Sequence, residues 1–456
     1  MFALPGIAAL MVFIYVRPHE IFDWLHFLSF PTVLGVAVVG LVIDWRISAS
    51  RPRVYPLIVV SVLFFAWAAF TVVVKVPVGA GPHVTLLVVS LLLFLVTAFG
   101  APSIRGFQAL ATMTLAMSIF LAAVGVQQGL SPRVCIIRND AADGGPGSVV
   151  SDGRGCTARK DCYENGEPET EYLCERTGLF GTASVGGRVR YRGILQDPNE
   201  LAWAISIGLP FAFVFQQRRR SATRLALLIG AVALAIVCVV MTQSRSGQLA
   251  LLAVVGAYFI RRFGWKGIVA AGLLSVPLIL FGGRVGEEAD SSTTERLDCW
   301  EAGLGMFRTN PVLGVGAGQF ADHHYLTAHN SFVLTLAELG PLGMFLWSCA
   351  FYLVFKILVQ ALRDFADNET SAIVARWAMA LIASLAGSLV SSFFLSIAYH
   401  PVLWVQFGLV AAFYGAIHRH APHWWVRFGW RDVLLIAGTD IMIITAIYGY
   451  VRMYGE

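Results

Sequence analysis

The chain has 456 residues, of which 57% are hydrophobic and only 13% are charged, with 33 Lys and Arg against 28 Asp and Glu. A soluble domain usually carries about 25% charged residues, so this composition excludes a soluble enzyme and a nucleic-acid-binding protein. Uncharged stretches such as 54–74, 84–104 and 106–130 are each long enough to cross a bilayer as a helix. We therefore predict an all-α polytopic membrane protein with about 12–13 transmembrane helices.

In chain order, hydrophobic runs predict thirteen helical segments joined mostly by short connectors. The first run has no basic leader and no Ala-x-Ala cleavage site, so we expect it to stay attached to the protein. The predicted helices lie near 2–16, 29–44, 54–74, 84–104, 106–128, 200–216, 225–243, 247–260, 267–282, 332–355, 377–396, 401–417 and 433–451.

Two long polar segments interrupt the hydrophobic runs. The first, from Ser131 to Glu200, holds 20 of the 61 charged residues, and the second runs from about Arg284 to Asn330. Because a bilayer does not accept such segments, both are predicted to be extramembrane loops. The predicted division is transmembrane helices over 1–130, a Cys-containing loop over 131–199, transmembrane helices over 200–283, a second loop over 284–330 and transmembrane helices over 331–456.

The short connectors carry their basic residues unevenly. Those around 45–55, 100–106, 217–224, 261–266, 356–376 and 418–431 hold 17 Lys and Arg, whereas the opposite short connectors and the C-terminus hold four. Connectors rich in Lys and Arg stay in the cytoplasm. The bias therefore predicts that both long loops lie on the outer side of the membrane, with the N-terminus inside.

Cysteines cluster in the first long loop, which contains Cys135, Cys156, Cys162 and Cys174. Four cysteines in one polar loop predict a subdomain held by disulfides, which requires an oxidising compartment. Zinc is the less favoured alternative, because the spacings contain no Cys-x-x-Cys pair and no histidine lies nearby. Three disulfide connectivities are possible, and the sequence does not choose among them.

The first loop leads into the next helix through Arg188, Arg190 and Arg192, followed by Asp197-Pro198-Asn199. Arginines at alternate positions of an extended segment would share one face. They predict either an anchor at the lipid headgroups or a phosphate or pyrophosphate site, which guanidinium groups bind bidentately. Asp197-Pro198-Asn199 is typical of a turn and a helix N-cap.

A very short outer connector, Thr242 to Gly247, contains the single arginine Arg245 among small residues. Such a residue either reaches the headgroups from the end of a helix or contacts a ligand. In the second loop, Ser292-Thr-Thr-Glu295 is typical of a capping box, and it predicts a short amphipathic helix at the outer interface.

The second loop continues with Asn310-Pro311 and alternate glycines that include Gly316. No βαβ unit surrounds this segment and no Gly-Lys-Ser follows it, so a nucleotide fold is not favoured. The alternative that this segment forms a turn closely approaching a lipid or sugar phosphate stays open.

The loop ends with His323, His324 and then His329-Asn330, directly before a helix that contains Glu338. A histidine at the mouth of a membrane helix can act as a general base near neutral pH, or His329 can be incidental to a helix capped by Asn330. A metal site is less favoured, because two adjacent histidines point to opposite sides of an extended chain. Glu338 is expected to favour the helix dipole or to orient a partner.

Taken in order, these motifs resemble the O-antigen ligase and polymerase superfamily over roughly residues 188–345. The motifs are Arg192-x-x-x-x-Asp-Pro-Asn, Ser244-Arg245-Ser-Gly, Trp300-x-x-Gly-x-x-Met-x-x-x-Asn-Pro-x-x-Gly-x-Gly, and His329-Asn-Ser with Glu338-Leu-Gly. The four-cysteine loop and the thirteenth hydrophobic segment depart from the family pattern.

The resemblance implies a bacterial inner-membrane glycosyltransferase without a cofactor, whose active site faces the periplasm. Its donor would be a glycan on undecaprenyl pyrophosphate, and its acceptor lipid A-core, a growing glycan or a protein. Arg192 and Arg245 match the arginines that hold the donor pyrophosphate, and His329 matches the essential histidine. Arg188, Arg190, Asn330, Gly316 and Glu338 are the expected substrate contacts.

Three alternatives stay open at this stage. Within the enzyme class, the protein is a ligase, a repeat-unit polymerase or a protein O-glycan ligase. A polysaccharide or lipid transporter is the non-enzyme alternative, although its helices offer few polar residues for a path, chiefly Asp440. A structural or signalling module would leave the arginines and His329 without a role. The sequence contains no Asp-x-Asp metal motif, in agreement with a metal-independent transfer.

Overall fold

The computed structural model describes residues 2–47, 54–138, 149–163, 172–218, 221–282, 287–366 and 372–454. Within them, helices dominate, and ten are long and apolar enough to cross a membrane. The predicted class, an all-α polytopic membrane protein, is confirmed. The helices are α1 (Ala3–Tyr15), α2 (Phe30–Ile47), α3 (Pro56–Lys75), α4 (Ala80–Gly100), α5 (Ile104–Leu130), α6 (Pro198–Gly208), α7 (Pro210–Arg218), α8 (Ala222–Met241), α9 (Arg245–Phe263), α10 (Trp265–Gly282), α11 (Glu287–Thr309), α12 (Phe320–His323), α13 (Ser331–Asp364), α14 (Ala372–Ser392), α15 (Pro401–His420) and α16 (Trp430–Tyr454).

Three of the thirteen predicted segments are not among these ten candidate spans. Helix α1 has 13 residues and is about 20 Å long, shorter than a hydrocarbon core of about 30 Å. Helices α9 and α10 are not among the ten candidate spans of the described residues. The total of 12–13 spans and the outer placement of both long loops therefore stay predictions.

The chain forms two compact units. Unit 1 comprises Met1–Leu10, Phe30–Thr112 and Val285–Glu456, and unit 2 comprises Met11–Ser29 and Met113–Arg284. The predicted division into five sequence segments stays untested, and its boundary at 283–284 lies outside the described residues.

The core of unit 1 is built around α13 and α15. Helix α13 packs against α3, α11, α14 and α16, and α15 packs against α4. Trp404 is fully buried, and the rings of Phe64, Phe65, Phe94 and Phe407 surround it at centroid distances of 4.4–5.8 Å. Large rings that interlock in this way fix the positions of the helices that carry them.

Helix α13 is broken in its first third, at Gly340 and Pro341. Gly340 has φ 68° and ψ −172°, and Pro341 has no N–H to donate, so the carbonyls before the break lose their helical partners. Three donors from other segments replace them at 2.9 Å: Val315 N to Ala337 O, Gly316 N to Glu338 O, and Trp67 Nε1 to Leu339 O. The second loop is thereby fastened to the break.

Two glycines permit this contact. A Cβ on Gly314, at φ +65°, would lie 2.3 Å from the carbonyl carbon of Glu338. A Cβ on Gly340 would lie 2.2 Å from the carbonyl oxygen of Val312. The loop therefore crosses the broken helix backbone to backbone, which only glycine allows at these positions.

In unit 2, α6 packs against α8 and α9, and α9 packs against α10. The first long loop adds a four-stranded antiparallel sheet in the order β2-β1-β3-β4, which the all-α prediction did not include. The strands are β1 (Arg133–Arg138), β2 (Val149–Gly155), β3 (Tyr172–Gly178) and β4 (Thr182–Ala183).

Two disulfides hold this sheet together. They join Cys135 to Cys162 and Cys156 to Cys174, so the predicted disulfides form and one of the three connectivities is selected. These bonds also explain why three of the four sulfurs lie within 4.8 Å of one another, as the ligands of a metal would.

The helix predicted in the second loop differs from α11. Helix α11 begins at Glu287, so the predicted capping box at Ser292 to Glu295 lies inside the helix and the prediction of a helix start there was wrong. The helix has 23 residues and buries Leu297 and Leu304. Cys299 is also buried and continues this apolar face. Helix α11 packs on α13 and α16.

Candidate functional site

In unit 2, the buried side chain of Asn199 links two of the sequence motifs. Its Oδ1 accepts a hydrogen bond of 2.6 Å from Ser244 Oγ and lies 3.5 Å from Arg188 Nη2. Its Nδ2 donates to Asp197 Oδ1 at 2.9 Å. Arg188 Nε also donates to the carbonyl of Thr242 at 3.0 Å. The Asp-Pro-Asn motif, Arg188 and the Thr242 to Gly247 turn therefore form one polar network.

This network joins the N-termini of two helices. Asp197 caps α6 by accepting from Asn199 N, as predicted, and Ser244 caps α9 by accepting from Gly247 N. Arg245 is the first residue of α9 and is exposed. Helix N-termini present N–H groups and a positive dipole end. The N-terminus of α6 already holds the Asp197 carboxylate, whereas the N-terminus of α9 carries the exposed Arg245, an arrangement that favours an anion.

The other two arginines of the alternating set have different partners. Arg190 Nε donates to the carbonyl of Ala183 at 2.9 Å. Arg192 donates to the carbonyl of Glu20 at 2.8 Å and to that of Phe180. Burial lowers the pKa of Arg192 from its usual value, an effect that the nearby Glu20 opposes. Each guanidinium is thus oriented by main-chain oxygens, and the shared face stays a prediction.

In unit 1, His329 directly precedes Asn330, the N-cap of helix α13. It is half-buried and has φ +47°, in the left-handed region. Few residues other than glycine adopt this conformation, and such positions cluster at functional sites. In unit 2, Gln243, two residues before Arg245, has φ +51°. Two of the three predicted catalytic segments, those of His329 and Arg245, therefore contain a residue other than glycine in the left-handed region.

Asn330 caps α13, as one of the two interpretations of the His329-Asn330 motif predicted. Its Oδ1 accepts from Phe332 N at 2.9 Å and from Val333 N at 3.1 Å. The residue is fully buried, and its Nδ2 has no hydrogen-bond partner within the described part of the chain. A buried unpaired donor is costly. It is therefore a candidate contact for a substrate oxygen beside His329.

A segment in which the sequence predicts no functional residue supports the start of α13. Ser331 Oγ donates to the carbonyl of Leu395 at 2.6 Å and accepts from Ile397 N at 2.9 Å. The connector 393–400 between α14 and α15 is thereby fixed against the His329 segment. No sequence signal joins residues 66 positions apart, so this contact required the fold.

The glycine segment is fastened inside the protein. Gly316 N donates to the carbonyl of Glu338 at 2.9 Å, and Gly318 N donates to the Glu338 carboxylate at 2.9 Å. These two N–H groups are already used. The open alternative of a phosphate-binding turn at Gly316 therefore receives no support from their geometry.

Two basic residues of α3 and α4 contact the segment 310–319 of the second loop. They lie within residues 1–130, where the sequence shows no recognisable motif. Lys75 Nζ donates to Asn310 Oδ1 at 2.7 Å, and His83 Nε2 lies 3.2 Å from Gln319 Nε2. Together with the connector 393–400, the predicted outer connectors of unit 1 meet at one end of its helices. Their only sequence signal was the shared prediction of an outer position.

The neighbouring histidines contact their own segment. His323 Nδ1 lies 2.9 Å from the carbonyl of Gln319, and His324 Nδ1 lies 3.2 Å from that of Leu326. The thiol of Cys299 is 3.9 Å from His324 Nδ1, and burial raises its pKa to about 11. A thiol in this state is a poor metal ligand and a poor nucleophile at neutral pH.

The structure therefore brings together Arg188, Asn199 and the Arg245 turn within unit 2. In unit 1 it joins Gly316 to Glu338, whereas His329 and Asn330 lie at the other end of the half-helix 331–339. That the two groups act in one site stays a prediction.

Residues 230–348 match the family described as Wzy_C, O-antigen ligase. The match covers about a quarter of the chain and includes Arg245, Gly316, His329, Asn330 and Glu338, while Arg188 to Arg192 precede it. It confirms the predicted resemblance to the O-antigen ligase superfamily over this segment. No curated protein matches the chain.

Proposed function

We propose, from the O-antigen-ligase match of residues 230–348, that the protein is a bacterial inner-membrane glycosyltransferase. It moves a glycan from undecaprenyl pyrophosphate to a hydroxyl acceptor at the periplasmic face, as in an O-antigen ligase. The donor lipid stays in the membrane, and the acceptor is lipid A-core, a growing glycan or a protein.

The observation that carries this proposal is the network of Asn199, Ser244 and Arg188 beside exposed Arg245. A leaving pyrophosphate must be held while negative charge develops on it. The N-terminus of α9 and the guanidinium groups favour an anion without a metal. The arginines that bind it are Arg245 and Arg192, with Arg188 and Arg190 as further contacts.

His329 supplies the second requirement of the reaction. The acceptor hydroxyl attacks the anomeric carbon, the bond from that carbon to the phosphate oxygen breaks, and undecaprenyl pyrophosphate leaves with the bonding electrons. His329 takes the hydroxyl proton as general base. Asn330, whose buried Nδ2 has no partner among the described residues, holds an acceptor oxygen at the same point of the chain, and the unpaired donor supports this part of the proposal.

The acceptor is tested by deleting the gene and isolating the lipid-linked glycans that accumulate. Accumulation of complete polymer on undecaprenyl pyrophosphate supports a ligase, with lipid A-core or a protein as the acceptor according to which one loses its glycan. Accumulation of single repeats identifies a polymerase instead. Unchanged transfer would contradict the enzyme, whereas lost transfer with intact donor trapped at the cytoplasmic face would favour the transporter alternative.

A further inference from the structure

The carboxylate of Glu338 is almost fully buried, with 1% of the residue exposed. One oxygen accepts from Gly318 N at 2.9 Å and the other from Phe320 N at 3.0 Å. Glu338 thus fixes residues 318–320 of the second loop to α13.

The same loop is fixed to α13 at two further places. It enters by crossing the break, where Val315 N and Gly316 N donate to the carbonyls of Ala337 and Glu338 at 2.9 Å. It leaves through Asn330, the N-cap of the same helix. Residues 314–330 therefore begin and end on the nine-residue half-helix 331–339, with His329 at the end of the loop.

We propose that Glu338 is a positioning residue that holds this loop and thereby orients His329. It is not a substrate contact, because both of its oxygens accept bonds from main-chain amides and neither faces solvent. Tyr399, on the connector 393–400, interacts with it electrostatically: burial first, and the Glu338 carboxylate second, raise the pKa of the Tyr399 hydroxyl. The role deepens the proposed function and rests on it, since it matters only if His329 performs proton transfer.

The substitution Glu338→Gln tests this role. The amide keeps the size of the side chain but presents an N–H₂ group to one of the two main-chain N–H donors. One fastening bond is lost and a donor faces a donor. Because a displacement of about 1 Å in a catalytic group lowers the rate roughly 100-fold, we expect turnover about 10- to 100-fold lower with an unchanged KM for the donor.

A second readout does not depend on activity. Hydrogen–deuterium exchange of the full-length protein in nanodiscs should show the amides of Gly318 and Phe320 exchanging roughly 10- to 100-fold faster in Glu338→Gln. Exchange in the Thr242 to Gly247 turn should be unchanged. Glu338→Asp, which keeps two accepting oxygens on a shorter stem, should lie between wild type and Glu338→Gln in both measurements, and it serves if Glu338→Gln does not fold.

The matched control is Asp322→Asn, which removes an exposed carboxylate from the same loop. It should leave exchange and transfer at wild-type values. Lower turnover with unchanged loop exchange would overturn the proposal, and so would faster exchange with wild-type turnover. If the wild-type protein transfers no glycan, the proposed function fails, whereas the exchange comparison still decides whether Glu338 holds the loop.

Discussion

Replacing Ser244 by alanine removes the side chain that joins α9 to Asn199. Ser244 is 1% exposed, donates to Asn199 Oδ1 at 2.6 Å and accepts from Gly247 N at 2.9 Å. Ser246 is the matched control, because it is a buried serine of the same turn. Its Oγ lies 3.4 Å from Asn199 Oδ1 and 3.1 Å from Ser244 Oγ.

The magnitudes follow from these contacts. Loss of a serine N-cap costs about 0.5–2 kcal/mol, and loss of a buried hydrogen bond costs about 0.5–1.5 kcal/mol. Ser244→Ala should therefore lower the free energy of unfolding by about 1–3.5 kcal/mol. The Ser246 side chain makes only the weaker contact with Asn199, so Ser246→Ala should lower the free energy of unfolding by about 1 kcal/mol or less.

The assay is SDS titration of the detergent-solubilised protein, followed by tryptophan fluorescence, for both variants and for Asn199→Ala with and without Ser244→Ala. The cycle should give a coupling of about 0.5–1.5 kcal/mol between Ser244 and Asn199. Glycan transfer should fall more in Ser244→Ala, since Arg245 follows directly. Equal destabilisation by both serine variants, or a coupling near zero, would refute the bridge between the two motifs.

Three further predictions concern the loops and the anion site. Non-reducing peptide mapping of protein from the membrane should recover the pairs Cys135–Cys162 and Cys156–Cys174, with Cys299 free; free thiols at these four positions would contradict them. Cysteines introduced at Arg261 and at Tyr325, which is exposed in the second loop, should be labelled from the cytoplasmic and the periplasmic side respectively, as the bias of 17 basic residues against four requires, and the opposite labelling would place the site where no periplasmic acceptor reaches it. Arg245→Lys should stay impaired in transfer despite its charge, because an ammonium lacks the bidentate fork, and wild-type transfer by this variant would remove Arg245 from pyrophosphate binding.

The membrane helices were predictable because each depends on local composition. A long apolar run has no stable alternative to a helix in a bilayer, and the observed α3 (Pro56–Lys75) differs from the predicted 54–74 by two residues at most. The sheet was missed because strands such as Arg133–Arg138 are short and mix charged with apolar residues. The disulfide pairing depends on how β1 and β3 meet, which spacing alone does not determine.

Motif residues were also predictable, but their partners were not. Asp-Pro-Asn gave the cap of α6, whereas the bond from Asn199 to Ser244 spans 45 positions. The break in α13 had a local signal in Gly340-Pro341, which the predicted helix over 332–355 passed through. The contact of Glu338 with Gly318 and Phe320 had no local sequence signal. Gly318 and Phe320 lie in a loop whose path is defined only by its contacts with the broken helix.

The most direct test of the account is the turnover of His329→Ala against that of His323→Ala, an exposed histidine of the same loop. Transfer is measured with lipid-linked donor in membranes of the deletion strain that contain equal amounts of each protein. If His329 is the general base, its loss should lower turnover by about 10² to 10⁴ while donor binding is retained, and His323→Ala should transfer at the wild-type rate. Wild-type transfer by His329→Ala would contradict the mechanism.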